Sequence, residues 1–179
     1  MRHMLSAMLT GAILFAAPAV GQIPQRLVPD FGAFNPMTDA FEKPDPSLRY
    51  RIIFDVAQPA RAEGAVHQGL ERVARMANLL QYYGVKLQPG DIVVTLHGAA
   101  AKTALTSAAY AKRFANQTNP NAALIEQLSK AGVSVRLCGQ SMVANGFAKD
   151  ELNADVQVDV SAITTIGTLQ MRGYALIQD

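Results

Sequence analysis

The sequence predicts an α/β fold: a five-stranded, mostly parallel sheet with helices on both faces. Three observations carry this. From Tyr50 onward, short apolar runs alternate with stretches of helical period, the pattern of strand–helix–strand units. The run "DIVVTLHG" (91–98) is nearly continuous in apolar residues, as in a strand covered on both faces. Gly84, Gly132 and Gly173 each follow a helical stretch, where a left-handed residue closes a helix.

Taken in order, "YRIIFDV" (50–56) reads as the first strand. Val66, Leu70, Val73, Ala77 and Leu80 then fall on one helical face, with His67 off that face and expected in solvent. Residues 91–98 form the second strand, and "TALTSAAYAKRFA" (103–115) is expected to be helical. "NPNAALIEQLSKAG" (119–132) is the clearest helix, with Asn119 as its N-cap and Pro120 at the first helical position. "VSVRLCG" (133–139) is the third strand, and a short helix is expected from Ser141. "VQVDV" (156–160) is the fourth. Ser161 caps a helix bearing Ile163, Ile166 and Leu169, and "YALIQ" (174–178) is the last strand.

The N-terminal side is different. Arg2 precedes an apolar run from Met4 to Ala17, followed by small-residue cleavage patterns ending at Gly21, the layout of a secretory signal peptide. The run is shorter than the ~20 apolar residues a spanning helix needs. Residues 1–21 are therefore expected to be a signal peptide and the mature chain periplasmic or secreted, with no membrane partner. Residues 22–48 carry five prolines among Phe31, Phe34 and Phe41. That density forbids regular structure, and an extended arm lying on its own domain or on a neighbouring subunit is expected. Residues 49–179 form the α/β domain. The chain has 179 residues and a formal net charge of +2, with its basic residues scattered. Such a charge provides no field for nucleic acid, which is not expected as a partner.

Ligands of open parallel sheets bind beyond the carboxyl ends of the strands. Two chemically capable residues fall there. His97 closes the second strand, followed by Gly98 and Ala99. Cys138, the single cysteine, closes the third, followed by Gly139, Gln140 and Ser141. Backbone N–H groups at a helix start favour a thiolate, and Gly139 admits a close approach to the backbone. The alternative for Cys138 is a small buried hydrophobe, and for His97 a hydrogen-bonded histidine at a strand end. No phosphate loop, dinucleotide fingerprint or G-x-S-x-G elbow is present, and no ligand spacing supports a metal; neither metal nor cofactor is expected. Arg136 lies between apolar neighbours, so it needs a partner at a subunit interface or a sheet edge.

The segments "VVTLHGAA", "NPNAALIEQLSKAGVSVRLCGQS" and "VDVSAITTIGTLQMRGYALIQ", in this order, resemble the DsrE/DsrF-like family of sulfur-relay proteins, in particular its exported, signal-peptide-bearing members. The resemblance covers about residues 50 to 179. It implies a flavodoxin-like three-layer fold and assembly into homotrimers or hexamers. It also implies a strand-end cysteine that takes up sulfane sulfur as a persulfide and passes it to a thiol or sulfur-carrier partner. Cys138 falls at the matching position. In that role His97 would hydrogen-bond the sulfur or take its proton, and the N–H groups from Gly139 to Ser141 would hold its charge. Gly98, Ala99 and Gln140 would complete the ligand-binding rim. The relay members are cytoplasmic and use dedicated carriers, whereas export places this chain elsewhere. The alternative function is a non-catalytic small-ligand-binding module of the same fold. A self-contained disulfide oxidoreductase is disfavoured because there is no second cysteine.

Overall fold

The computed structural model describes residues 25–114 and 118–178. The signal peptide expected over residues 1–21 and the first residues of the arm lie outside the described residues.

The strands are β1 (Ile52–Val56), β2 (Ile92–Leu96), β3 (Ser134–Cys138), β4 (Val156–Asp159) and β5 (Ala175–Gln178). The helices are α1 (Gln68–Tyr82), α2 (Ser107–Arg113), α3 (Ala122–Lys130), α4 (Gly139–Ala144) and α5 (Ala162–Met171). The sheet order is β4-β3-β2-β1-β5, and every pairing is parallel, so the sheet is wholly rather than mostly parallel.

This order explains where the helices lie. From β1 to β4 the chain steps steadily one way, and right-handed crossovers put the intervening helices on one face. There α1 and α3 bury Leu70, Val73, Leu124, Ile125 and Leu128 against Ile52, Phe54, Val94 and Val135. From β4 the chain reverses to reach β5 beside β1, so α5 crosses on the opposite face. It packs Leu169 and Ile166 on Ile53 and Val93.

Side chains alternate between the two faces of a strand, and the parallel register aligns them across the sheet. On the α5 face, Gln178, Asp55, Thr95, Arg136 and Gln157 stand in one row across all five strands. The helix packs on β1, β2 and β5. Beyond it, Ser134, Arg136, Gln157 and Asp159 on β3 and β4 remain open to water to differing degrees.

Several local expectations change. His67 is not solvated but 1% exposed. It is the N-cap of α1: its Nδ1 accepts from Gly69 N–H at 3.1 Å, its Nε2 lies 2.8 Å from Gln58 O, and its backbone N–H donates to Asn121 Oδ1 at 2.7 Å. Imidazole has both an acceptor and a donor, and here the chain uses both. Asn121 rather than Asn119 holds the N-cap position of α3. Asn119 instead ties the preceding loop to that helix, donating to Thr103 O and Leu105 O and accepting from Asn121 N–H. The stretch 103–115 is not one helix. A 3-10 segment, Gly98–Ala104, ends at Leu105, and extended Thr106 starts α2 by accepting from Ala109 N–H. The helix from Ser141 begins earlier, at Gly139.

The described part of the arm lies on α1. Asn78, itself 1% exposed, accepts from Val28 N–H and donates to the carbonyls of Val28, Phe31 and Gly32. Gly32 has φ +64°, and a Cβ there would stand 2.4 Å from the Ala74 carbonyl carbon, so only glycine lets the arm approach the helix this closely. Phe34 packs edge-on against Tyr82, Phe31 joins the core margin, and Phe41 stands in solvent. Replacing Asn78 by Ala would strand the buried Val28 N–H and C=O, a loss of about 1–3 kcal/mol. Denaturant unfolding should show that loss, and limited proteolysis should newly cut residues 25–34. An arm as resistant as in the wild type would contradict this anchoring.

Candidate functional site

Cys138 is the last residue of β3 and stands at the N-cap position of α4. Its side chain shares the α5 face of the sheet with Arg136, two residues earlier. Although it is only 5% exposed, it belongs to neither apolar cluster. Polar groups from two turns surround the sulfur. The β3–α4 turn presents the N–H of Gln140 and the N–H and hydroxyl of Ser141; the β4–α5 turn presents the N–H of Ala162. The Cys138 side chain makes no capping hydrogen bond to the start of α4. These donors act mainly on the thiolate, whose full charge they stabilise.

Burial is the largest influence and pushes the Cys138 pKa up. The donors, led by Ala162 N–H and followed by Ser141 and Gln140, together outweigh it, and the thiol titrates below its ordinary value. Sequence reasoning named Gly139 to Ser141 as the source of N–H groups. Ala162 was missed because it is distant in the chain, brought here by the pairing of Cys138 with Asp159.

Gly139 is required for a reason other than ligand approach. A Cβ there would lie 2.7 Å from Asp159 O and 3.3 Å from Val160 O. What approaches its backbone is the end of β4, and Gln140 Nε2 adds a bond to Val160 O at 3.2 Å. Thus Gly139 lets the β4–α5 turn reach the sulfur.

The two strand ends are joined through Ser141. Gly98 N–H donates to Ser141 Oγ at 3.2 Å, and the Ser141 hydroxyl faces the Cys138 sulfur. Gly98 adopts φ +52°, and Ala99 N–H is taken by Ala57 O at 3.0 Å. His97 lies beyond β2 but turns toward β1, where its Nε2 is 2.6 Å from Asp55 Oδ1. No hydrogen bond links the imidazole to the sulfur among the described residues. Because a carboxylate only accepts, Nε2 is the ring nitrogen placed to donate here. Asp55 was not singled out from the sequence, although a carboxylate inside the apolar strand "YRIIFDV" was the available signal. Between Asp55 and Arg136 in the polar row stands Thr95, wholly buried, whose Oγ1 finds no hydrogen-bond partner among the described residues.

Arg136 has two partners. Its Nε donates to Ser134 Oγ at 3.0 Å and its Nη1 to Asp159 Oδ2 at 3.4 Å. It lies on the strand next to the sheet edge, not on the edge itself.

A five-stranded all-parallel sheet in this order, with helices on both faces, defines a small three-layer α/β protein, and its single cysteine closes one of the inner strands. The sequence matches the DsrE/DsrF-like family over residues 38–178, and the chain belongs to that family. Among solved structures it is similar to a protein of unknown function, MTH1491 from Methanobacterium thermoautotrophicum. The identity is 20% and the TM-score 0.54, with 73% of this chain and 99% of that one covered, a likeness of fold. No functionally curated protein matches the sequence. No helix among the described residues is long and apolar enough to cross a membrane.

Gly139→Ala drives a methyl against a backbone carbonyl that cannot swing aside. It should cost about 1–3 kcal/mol in chemical denaturation, and Cys138 should titrate higher as the β4–α5 turn moves away. Wild-type stability in this variant would refute the close packing at the site.

Proposed function

We propose that the protein carries sulfane sulfur on Cys138. Membership of the DsrE/DsrF-like family supports sulfur-relay function at the level of the family. The observation that carries the reading to this residue is the set of donors that lowers the thiol's pKa despite its burial. A thiolate is the nucleophile in sulfur exchange.

In the uptake step, the Cys138 thiolate attacks the terminal sulfur of a donor. An S–S bond forms on Cys138, the donor's own bond to that sulfur breaks, and the leaving group departs with the electron pair. The product is the Cys138 persulfide anion, so no external oxidant is needed. Discharge reverses the pattern: an acceptor thiolate attacks the outer sulfur and the Cys138 thiolate leaves. Ser141 and the N–H groups of Gln140 and Ala162 stabilise the negative sulfur at the start and end of the cycle. The His97–Asp55 pair stands on the same face, its Nε2 held by Asp55, and in this reading it does not take the cysteine's proton.

Incubation with a sulfane-sulfur donor, followed by intact-mass measurement, should show the gain of one sulfur atom. The gain should disappear in Cys138→Ala and reverse on addition of a small thiol. An unchanged wild-type mass would refute the carrier reading and favour a ligand-binding module, in keeping with the slight exposure of Cys138.

A further inference from the structure

A pocket of about 210 Å³ opens on the α5 face where that helix meets β3 and β4. Arg136, Asp159, Thr164, Thr165, Thr168 and Arg172 supply its polar groups. Two arginines and three threonines thus line the pocket beside a single carboxylate, and the Thr164 hydroxyl already donates to Ser161 O at 3.0 Å. That carboxylate is already engaged: Asp159 Oδ2 accepts from the Thr165 hydroxyl at 2.7 Å and from Arg136 Nη1. A guanidinium has five N–H donors, and Arg136 spends only two on its bonds to Ser134 and Asp159. The remaining positive charge and donors suit a small oxyanion, the group for which arginine's planar fork is best shaped.

The pocket adjoins the thiol. Arg136 and Cys138 project from the same face of β3, roughly 6.6 Å apart along the strand at ~3.3 Å per residue. Asp159, which lines the pocket, is the register partner of Cys138. The α5 helix contributes the pocket's threonines from one side and the sulfur's Ala162 N–H from its first turn.

We infer that this pocket binds the oxyanion end of the sulfur donor, and that the donor is a small anionic sulfane compound of the thiosulfate class rather than a neutral polysulfide. This rests on the carrier reading of Cys138. With thiosulfate, the Cys138 thiolate attacks the outer sulfur, the new S–S bond forms, and the bond to the sulfonate sulfur breaks. Sulfite leaves with the electron pair into the pocket. The total charge of thiolate plus thiosulfate equals that of persulfide anion plus sulfite, and no other reactant enters.

Two measurements test it and separate its failure from that of the carrier reading. The first is calorimetric titration of the Cys138→Ala protein with sodium thiosulfate and sodium sulfate, against sodium chloride at equal ionic strength. Saturable binding of both dianions is expected, weakened about tenfold or more by adding Arg172→Gln, an exposed position at the end of α5. No saturable binding, or binding indifferent to Arg172→Gln, overturns the site. The second compares the rate of sulfur uptake by full-length protein with an intact thiol. Uptake is read as persulfide from thiosulfate and, from an uncharged organic trisulfide, as the mixed trisulfide left on Cys138 when the thiolate attacks the central sulfur and one alkyl thiolate departs. Arg172→Gln should slow thiosulfate about tenfold and leave the uncharged organic trisulfide unaffected. Equal slowing of both donors overturns the assignment of the pocket. Anion binding without sulfur uptake from any donor would instead refute the carrier role and with it the substrate assignment, while the anion site would stand.

Discussion

Strand side chains alternate between faces, and a parallel register copies that alternation from one strand to the next. Everything distinctive about this protein follows from how the rule plays out on one sheet. The face that receives α1 and α3 is hydrocarbon throughout. On the other, the register lines up Gln178, Asp55, Thr95, Arg136 and Gln157. Such a row cannot be sealed under apolar helices without stranding polar groups, each costing a lost hydrogen bond or more. The topology supplies only α5 to that face, over β1, β2 and β5. The thiol, the His97–Asp55 pair and the two-arginine pocket all stand on this incompletely covered side.

The environment of Cys138 is a contest between solvation and local dipoles. Removing a thiolate from water opposes ionisation, and a sulfur at this depth in a dry core would be inert. Here the opposition is met by short loops rather than by a charged partner. The Ser141 hydroxyl, held by Gly98 N–H, ties the ends of β2 and β3 together beneath the sulfur. Gly139 allows the end of β4 to press close enough for Ala162 N–H to join. Neutral donors leave the rim's net charge unaltered, so an anionic donor meets the arginines without competition from a cation at the sulfur itself.

The α/β class, the five strands and the placing of His97 and Cys138 at strand ends were legible in the sequence because they rest on periodicity and on glycine punctuation. What was not legible depends on contacts between distant segments. His67 reads as a surface residue by helical phase; it is buried because it caps α1 from outside the helix and because Asn121, 54 positions away, accepts its N–H. Asn119 looks like a cap, yet two carbonyls of a preceding loop claim its amide. Gly139 was read as room for a ligand, whereas the neighbour that needs the room is the Asp159 carbonyl. The orientation of His97 toward β1 followed from Asp55, whose role shows only once β1 and β2 are paired in register. Arg136 announced a need for a partner in the sequence, and Ser134 and Asp159 answered it.

The ionisation of Cys138 bears most directly on all of this. Thiolate absorbance, followed as pH is raised, reports it without any assumption about donor or acceptor. The account predicts a midpoint below that of an unstructured cysteine peptide measured alongside, moving upward in Ser141→Ala as one donor is lost. A midpoint at or above the peptide's, insensitive to Ser141, would mean that burial wins over the surrounding dipoles and that the sulfur is a packing group.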